Sequence, residues 1–182
     1  MNKLVRLTAS AASLIAALVI LLSAGLPPRS GILVRPGETP IAAEVGAIAP
    51  PFDKIDIRNR RLSLSALRGA PVVINFWATW CAPCVSEMPR LQDSYDRYKP
   101  AGLRMIGINV NEPVTDVLTW AQHFHITYDL VVDNDGRLSY QYMVRNLPMT
   151  LFIGRDGLIR QIVYGEVSDS RLTAELTALL ND

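Results

Sequence analysis

The strongest constraint on how this chain can fold is an unbroken apolar run, "PVVINFW" (residues 71–77), that is followed at once by the cysteine pair of "ATWCAPC" and then by helical periodicity. A run this apolar, opened by a proline and rich in β-branched and aromatic residues, has no face to offer water and reads as a strand covered on both sides. Over residues 83–98, Val85, Met88, Leu91, Tyr95 and Tyr98 recur at helical spacing, with Pro89 expected to kink the helix and "KPAG" to end it. Both cysteines of the chain therefore stand where a buried strand hands over to a helix.

The remaining periodicities extend this pattern. "LRMIGINV" (103–110) reads as a second buried strand, "VTDVLTWAQHF" (114–124) as a helix and "YDLVVD" (128–133) as a short strand ending at the turn "DNDG". "MTLFIGRDGLIRQIVYG" (149–165) predicts two strands joined by Arg155-Asp156-Gly157 in an antiparallel hairpin, and "SDSRLTAELTALL" (168–180) a closing amphipathic helix. Ahead of the first buried strand, the alternation in "DKIDIRNRRLSLSAL" (53–67) suggests two short strands around Asn59-Arg60 and a helical turn ending at Gly69. Strands alternating with helices and then closing in a hairpin predict an α/β domain, a central mixed β-sheet flanked by helices and preceded by an N-terminal β-hairpin.

The N-terminus has a different character. Lys3 and Arg6 precede a stretch, residues 7–26, without a single charge. At roughly 1.5 Å per helical residue it matches a hydrocarbon core of about 30 Å, and the basic residues ahead of it favour a cytoplasmic N-terminus. Residues 1–26 are therefore read as an uncleaved signal anchor, that is, a single-pass transmembrane helix. The competing reading is a cleaved signal peptide, supported by the small residues Ser23-Ala24-Gly25. Residues 27–44, rich in Pro and Gly, read as a semi-rigid tether, and 45–182 as the domain it carries. That domain would then lie on the extracytoplasmic, periplasmic side of the cytoplasmic membrane, where disulfides persist.

Eighteen basic and 17 acidic residues leave a net charge of +1, which gives no electrostatic reason to expect nucleic acid. The two cysteines, three positions apart, close too small a ring to constrain the unfolded chain much, so a scaffold role is a poor use of them. At a helix start, unpaired N–H groups and the helix dipole favour the thiolate of Cys81, and Cys84, one turn on, is placed to attack a mixed disulfide formed there. Taken alone, the motif still admits a zinc half-site or an idle pair. Zinc would need two further ligands, and His123 and His125, around a predicted helix end, suit ordinary surface placement better. No metal and no cofactor beyond a redox-active Cys81–Cys84 disulfide is expected.

These motifs resemble the thioredoxin superfamily, and within it the membrane-tethered TlpA/ResA-like thiol-disulfide oxidoreductases of bacteria. The resemblance covers residues 45–180 and rests on "NFWATWCAPC", the helix continuing "VSEMPRLQ", "LRMIGINV", "NLPMTLFIGRDG" and the hairpin "PPFDKIDIRNRRLSLSALRGAPV". It implies a thioredoxin-like fold with Cys81 as attacking thiol, Cys84 as resolving thiol, and Pro148 in a cis peptide that brings the Leu147 backbone beside the cysteines to pair with substrate. Trp80 is expected at the rim of that site and Trp77 in the core. Where thioredoxin has a buried aspartate this chain has Asn75, which cannot take a proton, and Glu87 matches the glutamate that ResA-like proteins place beside the cysteines as general acid/base. Met149 replaces the threonine usual after the proline and is expected to alter the substrate-facing rim.

The resemblance further implies a reductase that takes electrons from a transmembrane thiol donor and passes them to disulfides of exported proteins, such as apocytochrome c during cytochrome c maturation. A disulfide-donating oxidant of the same fold differs only in potential. A Sco-like copper module shares the fold, but CxxxC and a late-loop histidine are usual there. A peroxidatic cysteine would want a threonine three residues earlier, where this chain has Ala78.

Overall fold

The computed structural model describes residues 39–182, which form the compact unit Thr39–Asp182. The proposed anchor and most of the tether lie outside the described residues, and none of the helices described is long and apolar enough to cross a membrane. The packed chain begins ahead of residue 45. Ala42 donates to the Ile48 carbonyl, Gly46 to that of Ile159, and Ala43 is buried, so the last residues of the expected tether lie against the domain.

Seven strands and four α-helices follow in the described residues: β1 (Asp53–Ile55), β2 (Arg61–Ser63), β3 (Val72–Trp77), α1 (Ala82–Tyr98), β4 (Arg104–Val110), α2 (Val114–His123), β5 (Asp129–Asp133), α3 (Arg137–Gln141), β6 (Met149–Ile153), β7 (Ile159–Tyr164) and α4 (Asp169–Leu180). The main sheet has the order β5-β4-β3-β6-β7, with β3 parallel to β4, β4 parallel to β5, and β6 antiparallel to both β3 and β7. The apolar run thus becomes the middle strand, buried along its whole length. Period-two alternation divides it. Val73 and Trp77 join the core beneath α1, α2 and α4, while Val72, Ile74 and Phe76 join a second core under the N-terminal segment and α3.

β1 and β2 form the expected hairpin, turned through Asn59 at φ +60°. Its turn is fastened to the sheet edge by Asp56, which accepts from the Arg58 and Arg60 amides, and by Arg60, which bridges Asp56 and Asp129. The short α3 escapes sequence periodicity because its start is set by one side chain. Buried Asp133 accepts from the Leu138 and Ser139 amides and the Ser139 hydroxyl, fixing the orphan donors of the first turn.

Gly107 in β4, opposite Asn75 of β3, is a point of close packing. A methyl group there would stand 2.5 Å from Leu130 Cδ2 and 3.2 Å from both the Trp77 indole nitrogen and Tyr128 Cε2, all of them fully buried side chains. Gly107→Ala is therefore expected to destabilise the domain by about 2 kcal/mol through overpacking. In a urea titration the midpoint should fall with an unchanged slope, and an unchanged midpoint would show that Leu130 can move aside without cost.

Candidate active site

Cys81 is the N-cap of α1, in extended backbone (φ −89°, ψ 97°), and its sulfur accepts from the Cys84 amide at 3.3 Å. The two cysteines are joined as a disulfide. Cys81 retains 6% exposure and Cys84 none, so only Cys81 can be reached from outside without rearrangement. Trp80, beside it, is 70% exposed, whereas Trp77 is buried.

The turn that carries Trp80 is fixed from below by a residue the sequence did not single out. Glu112, in the loop after β4, accepts from the Thr79 amide at 2.8 Å, from the Thr79 hydroxyl and from Asn109 Nδ2. A buried carboxylate held by three neutral donors orders the segment between β3 and Cys81. In the sequence it is one acidic residue in a loop, and nothing in its spacing relates it to Thr79.

The Leu147–Pro148 peptide is cis. Pairing of Phe76 with Met149 sets Pro148 beside the end of β3, from which the cysteine loop departs, and the Pro148 carbonyl accepts from Gly165 N at 2.8 Å. Pro148 is buried and Leu147 half-buried. Met149 is not on the rim: it is 1% exposed and packs with Phe76 and Tyr142 in the core on the other side of the sheet. Alternation explains the reversal, because the residue after the proline is the first of β6 and points away from the helix face.

Glu87 stands three residues after Cys84, on the same side of α1, and has no exposed surface. Its Oε1 accepts from Asn75 Nδ2 at 2.8 Å and its Oε2 from the Val167 amide at 2.9 Å. Asn75 Nδ2 also donates to Thr150 Oγ1 at 3.0 Å. Asn75, which cannot titrate, is thus a direct partner of the residue that can. Burial is the largest influence on Glu87 and pushes its carboxyl up to about 7; the two N–H donors and Arg90 act against it, and the charge of Glu166 adds to it. The Tyr128 hydroxyl, wholly buried, is pushed up by burial and secondarily by Glu87.

No group of three or more His, Cys, Asp or Glu suited to a metal ion occurs among the described residues. His123 lies in the last turn of α2 against Trp120 and Phe124, and His125 follows it at φ +53°.

A disulfide on the first turn of the helix after the central strand, with a cis-proline immediately before the neighbouring strand, defines a thioredoxin-like thiol-disulfide oxidoreductase. The chain belongs to the AhpC/TSA family, whose model matches residues 45–162, and it is similar to bacterial proteins named ResA. It is 35% identical over 138 residues to the thiol-disulfide oxidoreductase ResA of Geobacillus kaustophilus, covering 76% of this chain and 79% of that protein. It is 32% identical over 127 residues to ResA of Bacillus subtilis, covering 70% and 71%. Among solved structures, a thiol:disulfide interchange protein of the thioredoxin family from Chlorobium tepidum superposes with a TM-score of 0.67 at 25% identity, over 73% of this chain and 95% of that one.

Proposed function

We propose that the protein is a membrane-tethered, extracytoplasmic reductase of disulfides in exported proteins, with apocytochrome c as its substrate during cytochrome c maturation. The observation that carries the reading is the buried Glu87 on the Cys84 side of the disulfide, with a carboxyl poised near neutrality. The uncharged N-terminal run and the likeness to ResA support the location and the direction of electron flow.

In the reduced protein, the Cys81 thiolate attacks one sulfur of the substrate disulfide. That S–S bond breaks, a mixed disulfide forms, and the departing substrate sulfur takes a proton. Glu87 in its ionised form accepts the Cys84 proton, and the Cys84 sulfur then attacks Cys81. This closes the Cys81–Cys84 disulfide and releases the second substrate thiol. Two electrons have passed from the cysteine pair to the substrate. A dithiol donor reverses the exchange: one of its thiolates attacks Cys81, Cys84 leaves and takes the proton back from protonated Glu87, and the donor's second thiol then attacks its own sulfur in the mixed disulfide, which releases the Cys81 thiolate and leaves the donor as a disulfide. A carboxyl near pH 7 is populated in both forms, as a cycle of this kind requires. An extended substrate segment would lie against the exposed Trp80 and pair with the Leu147 backbone, whose direction the cis peptide to the buried Pro148 sets.

The test is the reduction potential of the Cys81–Cys84 couple in the domain from residue 39, equilibrated against glutathione or dithiothreitol buffers. The expected value is at or below about −270 mV, in the thioredoxin range. A value near −120 mV would reverse the direction and make the protein a disulfide donor.

A further inference from the structure

We propose that Arg90 is a positioning residue for Glu87: its guanidinium holds the 165–168 loop so that the Val167 amide donates to the Glu87 carboxylate, and so sets the pH at which that carboxyl titrates. The inference takes its functional weight from the acid–base reading of Glu87 above.

Arg90 follows Glu87 by three residues on α1, and its side chain is 27% exposed. Its Nη1 donates to the Val167 carbonyl and to Glu166 Oε1, both at 2.8 Å, and its Nε lies 3.1 Å from Asp169 Oδ1. Ser86 Oγ adds a bond to Glu166 Oε1 at 3.1 Å. Val167 is therefore gripped twice by one helix, at its carbonyl by Arg90 and at its N–H by Glu87. The planar fork of an arginine can serve three acceptors in fixed directions, which an ammonium on a flexible stem does poorly.

The charged and titratable groups around Glu87 are few. Helix α1 contributes Arg90 and the disulfide-bonded Cys84, the loop and the start of α4 contribute Glu166 and Asp169, and the residue just before β5 contributes the Tyr128 hydroxyl. Strands β3 and β6 contribute the neutral Asn75 and Thr150. Arg90 and Glu166 act on Glu87 through space with opposite sign, as the two smallest influences on it, and both are partly open to water, so the direct effect of either charge is screened. The lever left to Arg90 is the hydrogen bond it keeps in register.

The experiment is an NMR titration of the Glu87 side-chain carboxyl, with hydrogen exchange at the Val167 amide, in the oxidised domain and in Arg90→Gln. The expected result is a Glu87 midpoint raised by about one pH unit, the worth of one charge-assisted hydrogen bond, with Val167 exchange accelerated at least about tenfold. An unmoved midpoint overturns the proposal. So does a raised midpoint with Val167 still protected, since that identifies the charge of Arg90 rather than its grip on the loop. A raised midpoint and exposed Val167 without any change in the pH profile of disulfide exchange would uphold the role of Arg90 and refute the acid–base reading of Glu87.

Discussion

Cys81→Ser is expected to reduce insulin disulfides no faster than the uncatalysed background, whereas Cys84→Ser is expected to accumulate a mixed disulfide with its substrate. The asymmetry follows from position. Cys81 caps α1, keeps a little exposed surface, and its sulfur accepts from an amide of the first turn, where the thiolate is favoured. Cys84 is sealed beneath it and can only attack inward. Without Cys81 nothing accessible can open the substrate bond. Without Cys84 the bond opens and the complex has no internal route to release. The check is turnover of each variant with non-reducing electrophoresis of the products; equal residual turnover, or trapping by Cys81→Ser instead, would sink the assigned roles.

The parts of the fold that were legible in the sequence are those built from local repetition. The middle strand, α1 and the β6–β7 hairpin follow from apolar spacing and turn residues, and β1–β2 from alternation about Asn59. The cysteines and Glu87 were legible because they share one helix, so their separation in sequence translates directly into a shared face. What surrounds Glu87 was not. Val167 is 80 residues away and Thr150 is 75 from Asn75, and they arrive only when β6 folds back along β3 and β7 along β6. Asn75 shows the same limit: the sequence identifies a side chain that cannot take a proton, but its part as a donor to a carboxylate one element away depends on how α1 packs on β3. Met149 shows the converse error, a strand residue placed by its neighbour's role although each step along a strand reverses the face.

Glu87→Gln should leave the attack by Cys81 intact and slow the resolving step by about a hundred-fold at neutral pH, the lower end of what a positioned acid or base contributes. In the wild type that step should rise with pH through an inflection near 7, as Glu87 ionises and becomes able to accept the Cys84 proton. In the variant the inflection should vanish, leaving only the rise toward the ordinary thiol range near about 8.5. Stability should respond in the opposite sense. Glu87 keeps its proton up to about 7 in the folded protein against an ordinary value of 4.5, so between these values the native state binds more protons than the unfolded chain. The contribution of Glu87 is therefore most favourable below about pH 4.5, declines as pH rises through that window and is constant above about 7, a swing on the order of 3 kcal/mol. Urea titrations across the window should show this decline in the wild type and its loss in Glu87→Gln. Single-turnover release of a trapped mixed disulfide measures the kinetic half, and an unaltered pH profile would reduce Glu87 to a buried helix residue without a part in the exchange.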